Sequence, residues 1–201
     1  MPIFNWHSIP GYTDAIKRES GSRDASFLSI DATIAGIKIG QLTPERFLLL
    51  DGVSSPFVTG GTPKPEDVAL LLWICSNGFS TTDRKARDKF VKGCRKVSFE
   101  KACHDIAAYI KDAFADAPGG RSGSASYYSW CASMVDIIAS EYHWGEREIM
   151  QTPLKRLFQY IRAICMRNNP KAIFFNAADR VRAEWLAEKN RARKESESAK
   201  N

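Results

Sequence analysis

The residues of this chain that could do acid–base chemistry are two histidines that stand near carboxylates. His104 precedes Asp105, and His143 lies two positions after Glu141. A histidine and a carboxylate that face each other can pass a proton to and from a substrate. Side chains that are direct neighbours on a helix do not face each other, however. The sequence therefore assigns no catalytic residue and predicts a protein that is not an enzyme.

Cysteine is the second residue type that could carry chemistry. The chain has five cysteines, at positions 75, 94, 103, 131 and 165, and no Cys-x-x-Cys pair. Cysteines spread in this way in a cytosolic protein are typically buried small hydrophobic residues. Cys103 precedes His104, but no second pair stands at the spacing of a structural zinc site. We therefore predict no metal and no cofactor.

Two glycine-rich segments lack the residues that would make them reactive loops. Gly60 and Gly61 are not followed by the Lys-Ser/Thr pair of a phosphate-binding loop. Ser122 and Ser124 lie among glycines, but no Gly-x-Ser-x-Gly elbow is present. Neither segment predicts a phosphate site or a serine nucleophile.

The charge of the chain permits a polyanionic partner. The net charge is +6, and basic residues concentrate in positions 84–101 and from position 180 onward. Glutamates offset the second group, so only the first could bind phosphates. This basic stripe consists of Arg84, Lys85, Arg87, Lys89, Lys92, Arg95 and Lys96. It leaves open the alternative of a nucleic-acid-binding helical module, although no helix-turn-helix, zinc or RRM signature accompanies it.

Hydropathy argues against a membrane protein. A hydrophobic share of 44% is ordinary for a globular protein, and no run of about 18 apolar residues could span a bilayer. The first residues lack a basic segment followed by an apolar one, so we expect no signal peptide. The sequence predicts a cytoplasmic protein.

The predicted fold class is mainly α, a helical bundle-like domain with a small N-terminal β-hairpin. Ile30, Ile34, Ile37 and Ile39 are β-branched, and Ala35-Gly36 suits a two-residue hairpin turn. A hairpin of two strands is marginal alone, so it must pack on the helices or pair with a strand of another copy. Its exposed edge would be a place for self-association.

Composition predicts five segments along the chain. We expect an irregular arm over 1–26 with a short helix near 13–19, a hairpin and helical domain over 27–115, and a Gly/Ser linker over 116–126. A C-terminal helical region follows over 127–186, and a disordered tail over 187–201. Whether the helices on the two sides of the linker pack together stays open.

The helical elements are organised around residues 140–167. Thr152 can cap a helix through its hydroxyl, and Pro153 suits the first helical position. Apolar residues then recur at helical spacing and mark one face, namely Leu154, Leu157, Phe158, Ile161, Ile164 and Cys165. In the earlier part of the chain, Trp73 is predicted to be a core residue of an almost entirely apolar helix.

Two parts of the chain look familiar together. The first reads LTPERFLLLDGVSSPFVTG and PEDVALLLWICS, and the second reads SYYSWCASMVDIIASEYHWGEREIMQTPLKRLFQYIRAI. Both resemble the tail assembly chaperone family of tailed bacteriophages and prophages, which is encoded beside the tape-measure protein. The resemblance implies a mostly helical, non-catalytic protein that binds the tape-measure or another tail protein during virion assembly in the host cell. Whether such a protein stays in the finished virion is left open.

A chaperone for a long helical partner needs a groove lined by aromatic residues and methionine, because these side chains adapt to many contacts. Such residues are concentrated near the organising stretch, and the predicted partner-binding residues are Tyr142, Trp144, Met150, Phe158 and Tyr160. The alternative is that most of them fill the core of the domain.

Overall fold

The computed structural model describes residues 9–28, 30–117, 129–169 and 177–198. Within these ranges the chain forms ten helices and one two-stranded sheet, so the predicted mainly α fold with a small hairpin is confirmed. The elements are α1 Tyr12–Ala25, β1 Ala32–Ile34, β2 Ile37–Ile39, α2 Pro44–Gly52, α3 Pro56–Thr59, α4 Pro65–Cys75, α5 Arg84–Cys94, α6 Phe99–Ala113, α7 Trp130–Tyr142, α8 Glu146–Gln151, α9 Leu154–Asn168 and α10 Ala177–Ser198.

The chain divides into two compact units, one formed by Met1–Phe27 with Lys171–Asn201 and the other by Leu28–Pro170. In the first unit α1 packs against α10. Residues 12–25 are helical where the sequence predicted a mostly irregular arm. In the same unit α10 continues through residues 187–198, where the sequence predicted a disordered tail. That prediction followed the end of the apolar pattern, whereas Ala, Glu, Lys and Arg, which dominate this segment, have high helix propensity.

The hairpin of the second unit forms at the predicted place. Ala32 pairs with Ile39, and Ile34 pairs with Ile37 across the turn. Ala35 and Gly36 both have positive φ, 46° and 89°, as a tight hairpin turn requires. Ile34 and Ile39 are buried in the helical core, and the Ala35 N–H donates a 3.0 Å hydrogen bond to Asp105 Oδ2 of α6. The hairpin is therefore stabilised by the helices.

The core of the second unit surrounds α4. Leu71, Leu72 and Cys75 of this helix are fully buried, and they belong to one apolar cluster with Ile106 of α6 and Leu157 of α9. Trp73 is 4% exposed, which confirms its predicted place in the core. Its ring packs against the rings of Phe79 and Phe90, with centroids 5.8 and 5.4 Å away. The second aromatic contact attaches α5 to the core.

Gly40, which follows the hairpin, lies where no side chain would fit. A Cβ atom built there would lie 2.3 Å from Nη1 of Arg46. That guanidinium is held in place because Nη1 donates to the Gln41 carbonyl at 2.7 Å. Gly40 itself donates its N–H to the Cys75 carbonyl and accepts a 2.8 Å hydrogen bond from the Tyr109 hydroxyl. Glycine here leaves room for the side chains of Arg46 from α2 and Asn77 from the segment after α4.

The organising stretch forms α8 and α9, but its cap differs from the prediction. Thr152 follows α8, and its hydroxyl donates to the Glu148 carbonyl instead of accepting from α9. Pro153 occupies the N-cap position of α9, one residue earlier than predicted, and makes no side-chain cap bond. The Thr152 hydroxyl therefore bonds to a backbone carbonyl at the end of α8 and not to the start of α9. A threonine before a proline can do either, and the sequence prediction considered only the helix that follows.

Helices on both sides of the predicted linker belong to the same unit. The Leu154 N–H at the start of α9 donates a 2.8 Å hydrogen bond to the Leu42 carbonyl next to α2. Residues 118–126 of the predicted linker lie outside the described residues. Asp116, at its start, is fixed by Gln159 and Arg162 of α9. Helices α7, α8 and α9 therefore pack on the helices before the linker and do not form a separate half, whereas residues 177–186 of the predicted C-terminal region belong to α10 of the first unit.

A strained turn after α7 gives a stability prediction. His143 has a φ of 58° in the left-handed region, and its N–H donates to the Ala139 carbonyl. A residue with a Cβ atom pays about 1 kcal/mol there, and glycine does not. We expect His143→Gly to raise the free energy of unfolding by about 0.5 kcal/mol, measured by urea denaturation.

The matched control for this substitution is His104→Gly, because His104 is also exposed but lies inside α6. There glycine should lower the free energy of unfolding by about 0.4 kcal/mol, because histidine is itself a weak helix former. Equal effects of the two substitutions would contradict the proposed strain at His143.

Candidate functional site

The clearest surface feature of the second unit is an aromatic cluster formed by Tyr142, Trp144 and Tyr160. The Tyr142 ring centroid lies 5.2 Å from that of Tyr160 and 6.1 Å from that of Trp144. Trp144 and Tyr160 meet edge to face at 5.1 Å. Tyr142 ends α7, the left-handed turn at His143 brings Trp144 back beside it, and Tyr160 comes from α9. All three side chains are half-buried.

Of the other two predicted partner-binding residues, Phe158 lies in the core. Phe158 is 5% exposed, and its ring packs against Phe114 at 5.7 Å in the core. Residues two apart on a helix point to nearly opposite sides, so Phe158 and Tyr160 cannot share a face of α9. Met150 is half-buried on α8 and, like the three residues of the aromatic cluster, packs against the core. The structure therefore brings together three of the five residues on one surface.

The aromatic cluster has a polar border. Glu141, just before it, forms an ion pair with Arg167 of α9. His143, Glu146 and Arg147 beside it are exposed. An apolar patch with a charged rim is the usual composition of a protein–protein contact. The three packed rings leave no space between them for a small ligand, because their centroids lie within about 6 Å of each other.

The basic stripe lies on α5 and the turn that follows. Its seven side chains are exposed. Arg87 pairs with its neighbour Asp88 at 3.0 Å, and within the described ranges the structure shows no ion pair for the other six. The apolar face of α5 is occupied, since Phe90 packs on Trp73. The cations therefore point to solvent from a helix that is anchored by its opposite face.

The residues considered for acid–base chemistry either face solvent or hold the fold together. His104 is exposed, and its Nδ1 lies 3.5 Å from Oδ1 of Asp105. The hydrogen bond from the Ala35 N–H, assisted by Lys101, lowers the pKa of Asp105 below its usual value. This carboxylate thus holds the hairpin turn in its ionised form. His143 follows α7, whereas His104 lies within α6, so the two histidines are on different elements.

Cys75, which is fully buried in the core, contacts the hydroxyl of Tyr109. Burial raises the pKa of the Cys75 thiol to about 11 and raises the pKa of the adjacent Tyr109 phenol well above its usual range. Burial also raises the pKa values of Cys94, Cys103 and Cys131. A thiol needs its thiolate form to act as a nucleophile, so these four groups are weakly reactive at neutral pH.

These pKa shifts predict a loss of stability in alkali. The unfolded Cys75 thiol titrates near 9.0 and the folded one near 11, so the unfolded state releases its proton first. This contribution is intact below pH 9 and is lost as the pH rises towards 11, by up to about 1.4 kcal/mol per pH unit. The raised pKa of Tyr109 also lowers the stability of the folded state as the pH increases. Urea denaturation at about pH 8 and about pH 10.5 would measure the loss.

Cys75→Ala should flatten this pH dependence, whatever its effect on stability at neutral pH. Cys165→Ala is the control, because Cys165 lies on α9 and is only half-buried. A profile for Cys75→Ala as steep as that of the unsubstituted protein would contradict the assignment.

Sequence reasoning missed a cleft of about 380 Å³ between the start of α2 and the end of α4. Arg46, Asn77 and Phe79 are among its lining residues. The Arg46 guanidinium donates to the carbonyls of Gln41 and Ser76, at 2.7 and 3.4 Å. The sequence contained one signal of this cleft, namely Arg46 in the first turn of α2. A positive charge there is unfavourable because it opposes the helix dipole, so its presence calls for other contacts. Its bonds to two carbonyls give Arg46 a structural role.

The described residues contain neither a metal-ligand cluster nor a membrane-spanning helix. No group of three or more His, Cys, Asp or Glu side chains in these ranges is arranged to hold a metal ion. None of the helices in the same ranges combines the length and the apolar character needed to cross a bilayer.

The fold and its surfaces define a mainly α-helical protein with one small hairpin, a half-exposed aromatic cluster and an exposed basic stripe. Comparisons with known protein families, with curated proteins and with solved structures found no match to this chain.

Proposed function

We propose that this protein is a non-enzymatic assembly factor of a tailed bacteriophage or prophage. In this proposal it binds the tape-measure protein, or another tail protein, in the cytoplasm of the host cell during virion assembly. The observation that carries the proposal is the aromatic cluster of Tyr142, Trp144 and Tyr160, which lies in the same stretch that resembles the tail assembly chaperone family.

The geometry of the cluster supports binding of a helix. The Tyr142 ring at the end of α7, the Trp144 ring from the turn that follows and the Tyr160 ring of α9 form a continuous, half-buried apolar surface, with charged residues at its border. Aromatic side chains supply large contact areas and dominate the energetics of protein interfaces. An amphipathic helix can place its apolar face on such a surface. A tape-measure protein, as a long helical partner, would offer repeated faces of this kind.

The proposed absence of enzymatic activity is supported by the surroundings of the reactive groups. His104 is exposed on α6, Asp105 holds the hairpin turn, and the Cys75 thiol is buried with its pKa raised to about 11. These groups have structural roles or solvent-facing positions in the described residues.

The proposal is tested by co-expressing the chain with the tape-measure protein encoded beside it. We expect both proteins to co-purify and to form a complex of defined stoichiometry by light scattering, which also counts the copies of this chain. Trp144→Ala with Tyr160→Ala should weaken the complex at least about 10-fold, the loss expected of an aromatic hot spot. Failure of the unsubstituted protein to co-purify would refute the proposal.

The matched control for the aromatic cluster is Trp130→Ala. Trp130 is 40% exposed and packs against Phe47, with centroids 5.4 Å apart, away from the cluster of three rings. This variant should retain the complex. If it weakened binding as much as the double variant, the aromatic cluster would not be the binding surface. Circular dichroism of each variant separates loss of binding from loss of folding.

A further inference from the structure

We propose that the lysine row of α5, formed by Lys85, Lys89 and Lys92, binds the phosphate backbone of nucleic acid without reading its sequence. These residues are spaced by four and three positions, so they lie one above the other on the same face of the helix. All three are exposed. This site is separate from the aromatic cluster, and the inference does not depend on the proposed assembly function.

The charges of the lysine row are available to a ligand. Within the described ranges, none of the three lysines forms an ion pair with a carboxylate. One acid, Asp88, lies on the same face of the helix, three positions after Lys85 and four before Lys92, and its carboxylate is paired with Arg87 at 3.0 Å. Asp83 accepts the N–H of Ala86 as the N-cap of α5. Arg84, Arg95 and Lys96 add further exposed positive charge at the two ends of the helix. The surface therefore has a strong local excess of cations.

The dimensions of the row suit a nucleic-acid strand. With a helix rise of about 1.5 Å per residue, Lys85 and Lys92 are separated by about 10 Å along the axis. One strand of duplex DNA carries a phosphate about every 3.4 Å of axis, so the row spans about three phosphates. Lysine binds phosphate as a flexible point charge and gives no bidentate contact to a base edge. The expected contact is therefore electrostatic and independent of sequence.

Two other polyanionic partners fit the surface less well. A membrane would require the apolar face of α5 to insert, but Phe90 on that face is packed against Trp73. An acidic protein partner would need an apolar centre for a stable contact, and lysine is depleted in such interfaces. The exposed face of the row, between Lys85 and Lys92, presents no large apolar side chain.

The test is fluorescence anisotropy with a labelled DNA duplex of about 20 base pairs and mixed sequence. Three phosphate contacts predict a slope of about −2.7 for the logarithm of affinity against the logarithm of salt concentration. The full-length protein should therefore lose about 40-fold in affinity between about 50 and about 200 mM salt. Lys85→Gln with Lys89→Gln and Lys92→Gln should weaken binding at least about 10-fold at the lower salt and remove most of the slope.

A variant of equal charge is the control. Lys38→Gln with Lys64→Gln and Lys111→Gln removes three exposed lysines of the same unit from other elements. It should bind within about threefold of the unsubstituted protein, because only local charge matters in the proposal. Equal losses in the two variants, or no binding at the lower salt, would overturn it. Competition by polyglutamate as effective as that by unlabelled DNA would also overturn it and would point to an acidic protein instead.

Discussion

Replacing Leu154 by alanine is expected to lower the free energy of unfolding by about 3 kcal/mol, because a fully buried leucine side chain leaves a cavity that the core fills only in part. Leu154 begins α9, and its N–H donates to the Leu42 carbonyl near α2. The substitution therefore acts where α9 joins the helices that precede the linker. Urea denaturation followed by circular dichroism would measure the change.

The same experiment tests whether the second unit unfolds as one body. Because α9 shares a core with α4 and α6, the loss should move a single transition and leave its slope unchanged. Met166→Ala is the control on the same helix, since Met166 is 54% exposed, and it should cost less than about 0.5 kcal/mol. A split transition in Leu154→Ala would show that the C-terminal helices fold independently.

Asp116→Ala is expected to destabilise the protein by about 3 kcal/mol. The Asp116 side chain is 6% exposed and accepts a 2.7 Å hydrogen bond from Gln159 and a 3.4 Å contact from Arg162, whose side chain is 15% exposed. Removal of the carboxylate takes away a charge-assisted contact in a place where water replaces it poorly. Thermal and urea unfolding would both report the loss.

One turn earlier, the same pair of segments supplies a matched control. Lys155 of α9 forms an ion pair with Asp112 of α6 at 2.6 Å, but the Asp112 side chain is 63% exposed. The Lys155 side chain is 14% exposed, close to the 15% of Arg162, so the two pairs differ mainly in the exposure of the carboxylate. Because water already solvates the Asp112 carboxylate, Asp112→Ala should cost less than about 1 kcal/mol. Similar costs for the two substitutions would mean that burial does not set the strength of the Asp116 contact.

The sequence predicted correctly the hairpin, the buried face of α9 and the burial of Trp73, because each depends on residues that are close together in the chain. Ala35-Gly36 between β-branched residues predicts the hairpin, because the turn needs two positive φ angles within two residues. The apolar spacing from Leu154 to Ile164 predicts the buried face of α9, since helical geometry alone brings those side chains together. Trp73 was placed in the core by the apolar character of its helix.

The candidate surfaces were predicted only in part. Residue type drew attention to five side chains near the organising stretch, but Phe158 lies in the core. The left-handed turn at His143 brings Trp144 beside Tyr142, and no pattern in the sequence required that conformation of a histidine. The exposed basic stripe was easier to predict, because i, i+4 spacing of charges on a helix is a local property.

By itself, the sequence determined a mainly helical chain, its hairpin, the buried face of α9 and a cationic face on α5, since each depends on residues within a few positions of each other. The tertiary structure alone decided which helices share a core. It set the contact of Leu154 with Leu42 and the burial of Asp116 against α9. It also set the close approach of Arg46 to Gly40. These contacts depend on how whole elements pack, because burial and long-range hydrogen bonds are properties of the assembled core.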